Sequence, residues 1–186
     1  MRISATALPG VMLLEADVFQ DERGYFCESY NQAKLANLGI SNTFVQDNQS
    51  KSCYGVVRGL HAQLGKHAQA KLIRVLSGSI LDVAVDIRLD SPTFGQHIQV
   101  ELSEDNHHQL FIPQGFLHGF AVLSQEATVL YKCDSFWCKK AEITVRYDDP
   151  TIGIDWGIPQ ASIITSDKDQ QGCSLNELKY RLQQQP

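Results

Sequence analysis

At 186 residues, with 43% hydrophobic content and a formal charge of −5, the chain is long enough to bury a sizeable core and too apolar to be disordered. The acidic balance argues against a general nucleic-acid binder. Five cysteines, an odd number without Cys-x-x-Cys spacing, argue against a disulfide framework or a zinc knuckle.

The opening, Met1 to Asp17, holds only a short apolar run set off by Pro9-Gly10, not the core of a signal peptide. No stretch approaches the roughly 20 apolar residues of a membrane span. The expectation is a soluble, cytoplasmic protein with free thiols and a single domain over 1–186. Val11 to Phe19 reads as an early strand. Asp21-Glu22-Arg23-Gly24 is a turn signal, followed by a strand from Tyr25 to Tyr30. Asn31 to Leu38 reads as a helix, with Asn near its start and Gly39 at its end. Phe44 to Asn48 is extended and rich in amides.

The densest stretch is Gly55 to Arg74, which carries Arg58, His61, Gln63, His67, Lys71 and Arg74 between strand-like apolar residues. Alternation puts His61 and Gln63 on one face, and Lys71, Ile73 and Val75 on one face of the next strand. Arg58 joins the face of His61 only through a bulge, for which Gly59 is suited. A solvated cationic hairpin is one reading. The other is a site for a small anionic ligand, with His61 as base, Lys71 as oxyanion donor and Arg58 as anion clamp.

Leu72 to Leu76, Ser77-Gly78 and Ile80 to Ile87 read as a hairpin. Leu81, Val83, Val85 and Ile87 form one face of its second strand, Asp82 and Asp86 the other. Those aspartates face either solvent or a polar barrel interior. Short strands continue at Ile98 to Leu102, around Phe111 to Phe120, at Ala127 to Tyr131 and at Glu142 to Tyr147. The pattern is that of an all-β barrel or sandwich. Thr165 to Asp169 reads as a loop, and Ser174-x-x-Glu177 is a capping box opening a last helix with a Leu175, Leu178, Leu182 stripe.

Pro113-x-Gly115-x-x-His118 resembles the second motif of cupins, double-stranded β-helix jelly rolls. Where a metal cupin carries His-x-His, this chain has His61 and Gln63, so the ligand set for a metal is incomplete and no metal is expected. A closer resemblance follows. Phe19-x-Asp21-x-Arg23-Gly24-x-Phe26-x-Glu28, Gln46-x-Asn48-x-Ser50, Arg58-Gly59-Leu60-His61, Lys71, Asp82 to Arg88, Ser91 to Gly95, Pro113 to Phe120, Tyr131-Lys132 and Ser166 to Asp169 occur in order. Together they resemble the dTDP-4-dehydrorhamnose 3,5-epimerase family.

That resemblance implies an all-β cupin-type double-stranded β-helix with a few short flanking helices, and a homodimer with neither metal nor organic cofactor. It implies a pyrimidine-diphosphate sugar as substrate, a 4-keto-6-deoxyhexose inverted at C3 and C5. By the same resemblance His61 is the base, Asp169 orients it, Lys71 stabilises the enolate and Tyr131 is the acid. Arg23, Phe26, Glu28, Gln46, Asn48, Arg58, His118, Glu142 and Lys168 match substrate-binding positions, with Asp82 as an alternative partner for His118. The chemistry agrees: a proton alpha to a ketone needs a base of near-neutral pKa, which an unperturbed imidazole supplies, a cation at the developing oxyanion and an acid on the other face of the ring. Trp137 departs from the tyrosine many members carry there and marks a position for specificity, including a C3-only epimerase. The other readings are a non-catalytic sugar-nucleotide-binding cupin, a metal-dependent cupin oxygenase and a ketoisomerase on the same barrel.

Overall fold

Period-two patterning becomes strand almost everywhere the chain carries it. The structure, a computed structural model, describes residues 1–184. In chain order the elements are β1 (Arg2–Ala5), β2 (Met12–Glu15), β3 (Val18–Asp21), β4 (Gly24–Cys27), α1 (Gln32–Asn37), β5 (Gln46–Cys53), β6 (Val57–Gln63), β7 (Lys71–Ser77) and β8 (Ser79–Asp86). Then come β9 (His97–Ser103), β10 (His108–Ile112), β11 (Phe116–Val122), β12 (Glu126–Cys133), β13 (Glu142–Thr144), α2 (Asp167–Gln170) and α3 (Leu175–Gln183). A six-stranded sheet of order β1-β2-β10-β7-β12-β5 faces a five-stranded sheet of order β13-β6-β11-β8-β9. β3 and β4 form a separate two-stranded ribbon. This is the cupin-type jelly roll with short flanking helices.

One expected pairing is wrong. β7 lies between β10 and β12, and β8 lies between β11 and β9, so the segment around Gly78 crosses from one sheet to the other rather than closing a hairpin. Strand alternation looks the same either way. The crossing puts Ile73 and Val75 of β7 into one core with Ile80 and Ala84 of β8. Gly78, at φ 79°, could carry no side chain there, because a Cβ would lie 2.1 Å from the Glu126 carbonyl oxygen. For the same reason β6 and β7 are not a cationic hairpin: they stand on opposite walls.

Three apolar clusters hold the layers. Leu102, Leu110, Ile112, Phe116 and Val122 fill one end of the space between the sheets. Val57, Leu60, Val83, Val85 and Leu117 cover the outer face of the five-stranded sheet under Trp156, Leu175 and Leu178. Leu72 and Phe111 cover the outer face of the other sheet under Leu35 and Ile40, next to α1. Each fully buried leucine contributes about 1.5–3 kcal/mol. The polar ends of strands are left to line the other end of the barrel.

Local signals decide the smaller elements. Asn31 caps α1 by accepting from the Lys34 N–H, and Ser174 and Glu177 form the expected capping box of α3. The expected strand from Val11 to Phe19 is broken at Ala16-Asp17 into β2 and β3. The expected loop at Thr165 to Asp169 contains the single turn of α2, whose cap Ser166 accepts from the Asp169 N–H.

The bulge expected at Gly59 is present. In the β6–β11 pairing His61 faces His118 and Arg58 faces Phe120, so Gly59 and Leu60 together oppose Gly119. Leu60 is thereby turned outward, and Arg58 and His61 both turn inward. The backbones touch there: a Cβ on Gly59 would lie 2.5 Å from Gly119 Cα, and one on Gly119 2.8 Å from the Arg58 carbonyl oxygen.

Candidate active site

The polar end of the barrel is a cavity in two lobes that share His61, Lys71 and Tyr131. One lobe, of 480 Å³, is completed by Ser50, Arg58, His118, Phe120, Lys168 and Asp169 among others. The second, of 390 Å³, is completed by Gln46, Asn48, Gln63, Gln69, Trp137 and Glu142 among others.

The walls differ in chemistry. The five-stranded sheet supplies two imidazoles side by side. His61 Nε2 lies 2.5 Å from Asp169 Oδ1, a partner 108 residues away on α2. With Nε2 so engaged, Nδ1 is the ring nitrogen left for a substrate. His118 Nε2 lies 2.7 Å from Asp82 Oδ1 on the neighbouring strand β8. His61 keeps 27% of its side chain exposed, His118 only 7%, and Asp82 none. Asp82 therefore faces the barrel interior, not solvent. Burial pushes the His118 imidazole down against the pull of Asp82, which favours its neutral form. Burial also pulls Asp169 up, but the hydrogen bond from His61 and the Ser166 cap outweigh it and hold the carboxyl below the ordinary aspartate value.

The six-stranded sheet supplies the opposite wall. Tyr131 on β12 has its phenol pushed up by burial, with Cys133 adding to the effect and Arg58 opposing it. It stays protonated at neutral pH. Lys71 on β7 pairs with no carboxylate among the described residues. Burial pushes its ammonium down, opposed by Cys133, Asp82 and Glu142. Between these walls, a group bound in the cavity has a base candidate on one side and a proton donor and a cation on the other.

The remaining expected residues divide. Arg58 is brought to the cavity and donates from Nε to Ser52 Oγ at 3.0 Å. Glu142 and Lys168 line it and are paired with each other at 2.7 Å. Gln46 and Asn48 line the second lobe but hold protein groups: Gln46 donates to Asn48 Oδ1 and accepts from the Trp137 N–H, and Asn48 donates toward Cys133 Sγ. Arg23, Phe26 and Glu28 are not brought to this cavity. Arg23 is paired with Asp21 on the ribbon, Phe26 is exposed, and Glu28 is paired with Lys34. Sequence reasoning missed Ser52, Ser166 and Phe120, although Ser166-x-x-Asp169 has the spacing of a helix cap and marks α2. Among the described residues no three of His, Cys, Asp and Glu cluster as metal ligands, and no helix is long and apolar enough to cross a membrane.

Comparison with known proteins gives a consistent picture. The family model described as dTDP-4-dehydrorhamnose 3,5-epimerase matches residues 5–177. The dTDP-4-dehydrorhamnose 3,5-epimerase of Shigella flexneri is 47% identical over 97% of this chain and 99% of its own length. The crystal structure of the enzyme of that name from Elizabethkingia anophelis superimposes with a TM-score of 0.92 at 50% identity, covering 97% of this chain and 99% of the other. A dTDP-6-deoxy-D-glucose-3,5-epimerase from Legionella pneumophila, solved in complex with dTDP-4-keto-L-rhamnose, superimposes with a TM-score of 0.93 at 43% identity, covering 97% and 96%.

Proposed function

The chain belongs to the dTDP-4-dehydrorhamnose 3,5-epimerase family, and from that premise we propose how its cavity inverts two carbons of a sugar nucleotide. The protein is an isomerase, an epimerase of a dTDP-linked 4-keto-6-deoxyhexose. His61 Nδ1 removes the proton from the carbon beside the ketone, and Asp169 steadies the imidazolium that forms. Charge flows to the carbonyl oxygen, where the Lys71 ammonium stabilises the enolate by several kcal/mol. Tyr131 returns a proton from the other side, which inverts the carbon. The ketone flanks both C3 and C5, so one base and one acid serve both once solvent has taken the proton from His61 and returned one to Tyr131, and the ring has turned. The substrate carries its own electron sink, and the reaction calls for no cofactor. The observation that carries this reading is the placement of His61 and Tyr131 on facing sheets across one cavity.

Arg58 and Lys168 suit the diphosphate, His118 the sugar, and Gln46, Asn48 and Glu142 the far end of the substrate. Arg23, Phe26 and Glu28 come into play in a homodimer. The ribbon of β3 and β4 pairs with no other strand among the described residues and exposes Phe19, Tyr25 and Phe26. Laid across a second copy's cavity, it completes the nucleotide site. The five free thiols suit a reducing cytoplasm, and one catalytic domain spans the chain. The C3-only reading rests on Trp137 alone. Incubation with dTDP-4-keto-6-deoxyglucose in D₂O tests the proposal: NMR should show deuterium at C3 and C5. Exchange at C3 alone would favour the restricted enzyme, and exchange at neither carbon would refute the epimerase.

A further inference from the structure

The five residues from Asp134 to Cys138 form a lip on the second lobe, and the barrel holds it by side chains at every residue. Asp134 accepts from the Ala70 N–H at 2.6 Å, from Asn42 Nδ2 at 2.8 Å and from Gln114 Nε2 at 3.1 Å. Gln69 Nε2 donates to the Ser135 carbonyl at 2.6 Å. Gln46 accepts from the Trp137 N–H at 3.0 Å. Gln63 does the most. Its Nε2 donates to the Phe136 carbonyl at 3.3 Å and to the His67 carbonyl at 2.9 Å, and its Oε1 accepts from the Cys138 N–H at 2.5 Å. Gln63 is 6% exposed, whereas Phe136 and Trp137 are 68% and 56% exposed. The lip has a fixed backbone and free aromatic side chains. Burying an amide is favourable only when its donors and acceptor are all engaged, and here they are.

We infer that Gln63 is a positioning residue for the epimerisation. It fixes the backbone of the lip, and so the point from which the Trp137 indole projects, beside the second lobe of the cavity. Gln63 lies two residues beyond His61 on β6 and faces the same way, so the base and the anchor of the lip share one rigid strand. At the position where a metal cupin places its second histidine, this chain has turned the side chain from a ligand into a tether. The inference rests on the reading of the cavity as a sugar-nucleotide site.

The test is Gln63→Met, which keeps the side chain's length and removes its hydrogen bonds. Trp137 and the 4%-exposed Trp156 are separable by acrylamide quenching, which reads the exposed indole. In the protein alone, quenching should rise about twofold. With the dTDP-linked keto sugar, KM should rise about tenfold and kcat should change less than about twofold, the signature of lost binding rather than lost chemistry. In a Trp137→Ala background the same change should raise KM less than about twofold, since the two act as one unit. Gln69→Ala should act in the same direction, raising KM about threefold, and it decides the matter if Gln63→Met does not fold. Wild-type quenching and KM in the folded variant would overturn the inference, as would a fall in kcat at unchanged KM. If the wild type exchanged no deuterium with any such sugar, the functional reading would fail, and quenching alone would still show whether Gln63 holds the lip.

Discussion

His61–Asp169 and His118–Asp82 are the same chemical pair, set on adjacent strands and facing one cavity. The first joins a partly exposed imidazole to a carboxylate on a one-turn helix from the far end of the chain. The second joins two nearly inaccessible groups on neighbouring strands, 36 residues apart. Access and mounting, not the pairing itself, separate a proton-transfer group from a fixed wall. A buried, desolvated imidazole held neutral is a poor base but a steady hydrogen-bonding surface. An imidazole open to the cavity, with a carboxylate behind it, can take up charge.

The largest test of that contrast is to remove each ring. His61→Asn should lower deuterium exchange at C3 and C5 by about 10³-fold while dTDP still binds, whereas His118→Asn should lower it by about tenfold. Comparable losses in NMR-followed exchange would erase the distinction. Next come the two carboxylates. Asp169→Asn should lower kcat by about 10–100-fold and lower the melting temperature by less than Asp82→Asn does. Asp82→Asn should instead exchange a buried carboxylate acceptor for a neutral amide, costing about 1–3 kcal/mol and lowering the melting temperature by about 5 °C, as calorimetry would show.

The pH dependence sharpens the contrast further. Asp169's folded pKa is depressed, so its pair adds stability that is full above the unfolded value of about 3.9 and lost as pH falls through the folded pKa. The stability gap between wild type and Asp169→Asn should therefore be constant from pH 7 to about pH 5 and begin to narrow as pH falls below about 3.9. Elsewhere in the barrel, Asp86 sets a standard for that measurement. Burial pulls it up, but bonds from Arg88, Ser91 and Thr93 hold it down to about 2. Asp86→Asn should therefore cost about 2 kcal/mol above pH 5 and progressively less below pH 4. The smallest effect expected is none at all: EDTA should leave turnover unchanged, because Gln63 is tied to the lip rather than free to bind a metal. Activity lost to chelation and restored by a divalent ion would contradict this.

Much of this was legible before any coordinates. Alternation placed Leu81, Val83 and Val85 on one face, and the caps at Asn31 and Ser174 marked their helices. The bulge at Gly59 follows from the need to bring Arg58 and His61 to one side. What was not legible is non-local. Period two is the same in a hairpin and in a strand that crosses between sheets, so β7 and β8 were paired wrongly. The contact of His61 with Asp169 came only through family resemblance, since nothing in their spacing predicts it. The amides that hold the lip carry no local pattern at all. Gln46 read as a group for the substrate, and the structure gives its amide to Trp137 and Asn48.

Gly59 and Gly119 press backbone to backbone between the His61–His118 pair and the Arg58–Phe120 pair. The approach of β6 to β11 beside the imidazoles is therefore set by the thickness of bare main chain. That makes the two positions mutually locked against drift. A methyl group on either has to wedge β6 from β11, and no shrinkage at the other can make room, because glycine is already the smallest residue. An evolving or engineered enzyme can change how closely β6 and β11 approach beside these imidazoles only by remaking the bulge itself.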